Sequence, residues 1–301
     1  MFHTLLGRLR LRPHPQGRPL FWQFELLLVA VLYFAYDGSR LLVSGGLPEA
    51  RHNGRALLDA ERWAHLSPEH WLNQLFTAND LLAVPADFLY ASLHYLVTPA
   101  VLIWLWVSHH GEYRRARTWL GIATVAGLVG FVLFPTAPPR LLEASYGFID
   151  TMSQHADVGW WGAGDASVPN GMASMTNEYA AMPSLHLGWA LWCGIQLVRH
   201  ASDITVRVLG VLYPLVIAFV VMGTANHYLL DCVAGAAVMV ASSFAAAPLL
   251  RLLDALRLRA VAAVLRARGA TSPLPEPPHR PAMPPTPTPN PEHSPAGTPH
   301  T

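Results

Sequence analysis

Apolar residues gather into six runs along the chain, at 21–37, 88–108, 118–135, 182–199, 206–225 and 229–249. A helix rises about 1.5 Å per residue, so about 20 apolar residues cross the hydrocarbon core of a bilayer. The runs therefore predict six membrane-spanning helices, several of them on the short side. The stretch 38–87 is different. Its segment ALLDAERWAHLSPEHWLNQLF repeats apolar positions at helical spacing and predicts one or two helices lying at the membrane surface. A loop rich in Gly, Ser, Asn and Trp is expected over 136–181. After the last run, RLLDALRLRAVAAVLRARG predicts a separate arginine-bearing amphipathic helix, and the Pro-rich remainder cannot bury a core. The expected organisation is an N-terminal segment 1–20, a six-span domain 21–250, an amphipathic helix 251–269 and a disordered tail 270–301.

Composition supports this picture. The 301 residues are 52% hydrophobic and only 13% charged, against about 25% charged in a typical soluble domain. A net charge of +1 gives a nucleic-acid partner no electrostatic support. All 20 basic residues are arginine, which excludes lysine Schiff-base and lysine general-base chemistry. Cys193 and Cys232 fall in apolar runs, form no zinc or redox motif, and read as small core residues. No small-residue cleavage site follows the first run, so it is expected to be a retained helix rather than a signal peptide.

Arginines also set the orientation. They crowd residues 1–20, the 109–117 segment HHGEYRRAR, the connection holding Arg199 and Arg207, and the stretch after the last run. With six spans all of these lie on one side, so both termini are expected to be cytoplasmic and the 38–87 and 136–181 loops to face outward. The polar residues of the spans then converge. Arg140 follows span three, His186 opens span four, His227 closes span five and Asp231 opens span six, all at the outer side. Ionisable groups in membrane spans are functional candidates by default.

In GTANHYLLDCVAG, His227 and Asp231 are four residues apart. On a continuous helix they share a face; across a tight turn they still meet. A carboxylate there fixes the imidazole tautomer and leaves the other nitrogen electron-rich, as a histidine nucleophile requires. In AAMPSLHLGWALW, Pro183 and Ser184 suit the first turn of a helix, whose free N–H groups attract phosphate. His186, projecting from that turn, can donate a proton to a leaving oxygen.

Taken together, AAMPSLHLGWA, TANHYLLDCVAG and FPTAPPR resemble the type 2 phosphatidic acid phosphatase superfamily. With AERW, YASLHYL and EYRRAR, they resemble its branch related to inositol phosphorylceramide synthase. The resemblance covers roughly residues 20–250. It implies an all-α, integral membrane six-helix bundle with surface helices in the 38–87 loop. It also implies a mechanism. His227 attacks phosphorus to form a phosphohistidine, Asp231 orients and charge-stabilises it, and His186 protonates the leaving alkoxide. Water or an acceptor hydroxyl then takes the phosphoryl group. The scheme needs no metal and no other cofactor. Arg140 is the best candidate for holding the phosphate, since guanidinium matches it bidentately. The broader pattern begins its first motif with a lysine and places an arginine six residues before the nucleophile. This chain has no lysine and has Val221 at the second position. Thr224 and Asn226 are expected to supply neutral donors instead, beside Ser184, and His94 is expected to face the same cavity.

The expected function is that of a membrane phosphoesterase or phosphotransferase, acting at the outer face of a bacterial plasma membrane on a lipid phosphate. Water or a polyol such as inositol would be the acceptor, with the Trp/Gly/Asn stretch 159–171 as an acceptor lid. Two other readings compete. One is a six-span transporter or lipid-binding protein whose His–Asp pair is structural. The other is a metal-dependent hydrolase, although the histidine spacing matches no zinc motif.

Overall fold

The computed structural model describes residues 46–161 and 178–270, together with Leu27, Val31 and Phe34. The N-terminal segment, the first predicted span apart from those three residues, most of 159–171 and the Pro-rich tail lie outside the described residues. The chain divides into two compact units, Met1–Leu253 and Asp254–Thr301; the site lies in the first.

Among the described residues the protein is all-helical, without strands. The first helices whose bounds are described are α1 (Gly46–Trp63) and α2 (Pro68–Thr77), where the 38–87 pattern predicts one or two. Then come α3 (Asp80–Ser108) and α4 (His110–Leu133), and after two single 3-10 turns the short α5 (Thr151–Gln154). The remainder is α6 (Leu185–His200), α7 (Ile204–Gly223) and α8 (Leu229–Ala270). Four of these are long and apolar enough to cross a membrane, namely α3, α4, α7 and α8 through Arg266. The predicted span at 182–199 is present as the 16-residue α6, so four spans, rather than six, stand on length and composition among the described residues.

The helices overrun the apolar runs. The polar segment 109–117, expected as a loop, is helical from His110, and only His109 separates α3 from α4. The second span begins at Asp80 rather than 88 and holds Pro85 and Pro99 within it. Likewise the helix expected separately over 251–269 continues α8, with Pro248 inside. Hydropathy marks the part of a helix that sits in hydrocarbon, whereas backbone hydrogen bonds set its ends.

Indoles buried in the core find backbone acceptors. Trp119 donates to the Met239 carbonyl at 2.6 Å and Trp192 to that of Ala116 at 3.1 Å. Both tryptophans are buried with Leu105, Ala123 and Cys193, so neither indole N–H is left stranded in an apolar interior. Cys193 and Cys232 are buried and free. On the outward face of α7, Leu209, Leu212, Leu215 and Phe219 are exposed, an arrangement that suits hydrocarbon and not water.

Candidate active site

The C-terminal ends of α4 and α7 and the N-terminal ends of α6 and α8 meet at one end of the bundle. Helix α7 stops in a hydrogen-bonded turn: the Ala225 N–H donates to the Met222 carbonyl and the Asn226 N–H to that of Val221, both at 3.0 Å. This double closure needs a left-handed residue, usually glycine. Here Ala225 fills it with φ 54° while fully buried. A left-handed alanine costs about 1–2 kcal/mol, and it aims the next residues inward.

His227 follows in the linker and not on a helix, because α8 begins at Leu229. The tight-turn alternative is therefore the one realised. Asp231, in the first turn of α8, accepts the Tyr228 N–H through Oδ2 at 2.9 Å, the return half of a capping box. The same Oδ2 lies 3.4 Å from His227 Nδ1. The nearer partner of Nδ1 is the Ala181 carbonyl, at 2.9 Å. Two acceptors thus face one ring nitrogen, which places the proton on Nδ1 and leaves the lone pair on Nε2.

Ala181 belongs to the segment leading into α6. Ser184 caps that helix, its Oγ accepting the Leu187 N–H at 3.3 Å, while its own N–H donates to the Asp231 carbonyl at 3.0 Å. The helix proper starts at Leu185, so Pro183 and Ser184 precede the first turn they were expected to occupy. His186 sits just inside. Its ring stacks on Tyr90 at 4.6 Å, meets His94 edge-on at 4.5 Å and lies 5.7 Å from the His227 ring, centroid to centroid. Its Nε2 is buried with no hydrogen-bond partner among the described residues.

Arg140 reaches the same place from the segment after α4. Its backbone N–H donates to the strained Ala225 carbonyl at 3.0 Å, and its Nε donates to Asn226 Oδ1 at 2.9 Å. Its Nη1 lies 3.5 Å from Asp150 Oδ2. Asn226 in turn donates to Thr224 Oγ1 at 2.9 Å, and Thr224 donates to the Val220 carbonyl at 2.9 Å. These two side chains form a bracket for the guanidinium. The Arg140 and α6 segments are joined by backbone: Thr136 and Ala180 pair as an isolated bridge, with the Thr136 N–H donating to Tyr179 and that of Ala181 to Thr136.

The structure thus brings together His94, Arg140, Ser184, His186, Thr224, Asn226, His227 and Asp231. Sequence reasoning missed the Ala181 carbonyl, Asp150, Tyr90 and Gly235. A Cβ on Gly235 would stand 2.1 Å from the Ser184 carbonyl oxygen, so only glycine lets α8 pass this close to the α6 cap. It also missed Asp87, which is fully buried and accepts from Thr151 Oγ1 at 2.6 Å and pairs with His155 Nδ1 at 2.8 Å. A carboxylate bordering an apolar run was the available signal there.

An all-helical fold with apolar spanning helices, closed at one end over two histidines, an aspartate and an arginine, defines a membrane-type protein with a buried polar centre. The family model described as PAP2 superfamily matches residues 55–245, and the chain belongs to that superfamily. Its members are usually phosphatases, so membership suggests phosphatase or phosphoesterase activity. No curated protein and no solved structure gives a significant match.

Proposed function

We propose that the protein is an integral membrane phosphoesterase that takes the phosphoryl group from a lipid phosphate onto His227. The lone pair of His227 Nε2 attacks phosphorus and the bond to the lipid alkoxide breaks. Protonated His186 gives its proton to that oxygen. Water or an alcohol then attacks the phosphohistidine, His186 takes the proton from it, and the P–N bond breaks. Asp231 stabilises the positive charge that grows on the His227 ring. Arg140 and the N-terminal end of α6 at Ser184 hold the phosphoryl oxygens, His94 lines the site beside His186, and Asn226 and Thr224 keep Arg140 in place.

One observation carries this reading: His186 presents a buried, unsatisfied Nε2 beside a histidine whose Nδ1 is already engaged. A buried polar atom without a partner is costly, and a phosphate ester between the rings satisfies it. The resemblance to the synthase-related branch favours transfer to a polyol such as inositol over plain hydrolysis. The site lies at the opposite helix ends from Arg114, Arg115, Arg199 and Arg207, which supports an outward-facing site with cytoplasmic termini in a bacterial plasma membrane.

The test uses the full-length protein in detergent with phosphate-labelled phosphatidic, prenyl and inositol lipids, with and without free inositol. Acid-labile label on the wild-type protein and none on His227→Ala is expected. Label released as phosphate identifies a phosphatase and label on inositol a transferase. Turnover that survives intact in His227→Ala overturns the proposal.

A further inference from the structure

Two buried carboxyl groups outside the site just described have no role in that mechanism. Glu61 and Glu69 are 1% and 0% exposed, although both come from helices with one polar face. The turn between α1 and α2 brings them together. Past the end of α1, His65 turns the chain with φ 56°, and the Leu66 N–H returns to the Glu61 carbonyl at 2.8 Å. Pro68 then starts α2, which puts Glu69 in its first turn opposite Glu61.

Glu61 Oε1 accepts the Leu230 N–H at 2.5 Å. Leu230 precedes Asp231, so this carboxyl serves the free N–H groups that open α8. Glu61 Oε2 and both oxygens of Glu69 have no hydrogen-bond donor from another residue among the described residues. Two buried carboxylates facing each other without donors are strongly disfavoured, and a single proton between them converts the repulsion into a hydrogen bond.

We propose that Glu61 and Glu69 share one proton and act as a positioning pair, holding the first turn of α8 so that Asp231 stays aligned with His227. The inference rests on the catalytic reading above. The pair acts through the Leu230 N–H and the backbone of the first turn, and neither carboxyl touches substrate. The titratable groups around the pair are Asp231 and Cys232 from α8, Tyr228 from the turn before it, with Tyr146 beyond it, and Arg62 from α1 itself. Apart from Arg62 these are acids, so loss of the shared proton gives the pair a second negative charge next to Asp231, with Arg62 the cation acting on it among the described residues. Burial, followed by the neighbouring acids, pushes Glu61 up to about 8 against the Leu230 hydrogen bond, and burial likewise raises Glu69. Because the folded-state value lies above that of a free glutamate, the contribution to stability is full below about pH 4.5 and is lost as pH rises through about 8.

The experiment compares full-length wild type, E61Q, E69Q and E61A in detergent over pH 6–9.5. It measures turnover of phosphatidic acid in mixed micelles and the thermal unfolding midpoint. In wild type both quantities should fall on the alkaline side. E69Q should flatten both, so that its ratio of turnover at pH 9 to that at pH 7 exceeds the wild-type ratio. E61A, which removes the acceptor of the Leu230 N–H, should lower kcat about tenfold with little change in KM, and E61Q should recover most of that loss. An E69Q midpoint that follows the wild-type pH curve, or an E61A enzyme with wild-type kcat, overturns the proposal. If wild type does not turn over phosphatidic acid, the substrate reading fails separately, and the unfolding curves still decide whether the pair shares a proton.

Discussion

His227 Nδ1 is held more closely by the Ala181 carbonyl, at 2.9 Å, than by Asp231 Oδ2, at 3.4 Å. The backbone therefore fixes the tautomer, and the aspartate is left to stabilise charge. That division predicts unequal mutants. His227→Ala should abolish the phosphoenzyme and lower kcat by about 10⁴-fold or more. Asp231→Asn keeps an acceptor for the Tyr228 N–H and leaves Ala181 in place, so it should cost only roughly 10- to 100-fold, the worth of a hydrogen bond to a charged group. Single-turnover rates of phosphoenzyme formation measure both. Equal losses would show that the carbonyl does not set the tautomer.

Arg140 is placed by three contacts, through its backbone, its Nε and its Nη1. Arg140→Ala should lower kcat/KM by about 10²–10³-fold, as for loss of one preorganised charge at a developing anion. Arg140→Lys should recover little, because an ammonium cannot both donate to Asn226 and present a fork to phosphate. Asn226→Ala should mimic part of this defect. Inhibition by inorganic phosphate, measured alongside kcat/KM, should weaken in the same order.

Gly235 sets how closely α8 approaches the α6 cap. Gly235→Ala forces the Ser184 carbonyl to move, at a cost of about 1–3 kcal/mol, and it separates His186 from His227. The unfolding midpoint should fall and turnover should fall with it. An alanine variant with wild-type melting and activity would mean that the two helices do not meet as described.

Away from the centre, His155 clasps the segment after α5 to α3. Burial pushes its pKa down, but the hydrogen bond and charge of Asp87, with Asp80 behind, outweigh that and leave it above the ordinary histidine value. A raised histidine stabilises fully below its unfolded value, about 6.5, and the stabilisation is lost as pH climbs through the folded one. Amide protection over 152–161 should therefore weaken from pH 6 to pH 8 in wild type. In His155→Ala it should be low and flat, as read by hydrogen exchange.

The residues that meet at the centre were legible because charged groups in apolar runs are rare enough to stand out. His186, His227 and Asp231 each interrupt hydrocarbon, and Arg140 sits in a short Pro-flanked segment between runs. The geometry was less legible. A carbonyl such as that of Ala181 belongs to every residue and leaves no mark in sequence. The left-handed Ala225 hides where a glycine would have signalled a turn. Glu61 and Glu69 carry no such mark, since the periodicity of their helices shows a polar face but not whether another helix covers it. The start of α4 at His110 is hidden because its arginines remain helical beyond the apolar run.

The Thr136–Ala180 bridge has a consequence for how such a protein can diversify. The chain leaves the centre and comes back to it at adjacent points, while Arg140 is pinned separately by Ala225. Beyond Leu142 the chain sends Asp150 back to Arg140 and buries Met152 and Trp161 in the core, and it rejoins Thr136 at Tyr179. Changes that spare Asp150, Met152 and Trp161 leave Arg140 and the Ala181 carbonyl held, so on the proposed reading a different acceptor is accommodated by altering the rest of this stretch.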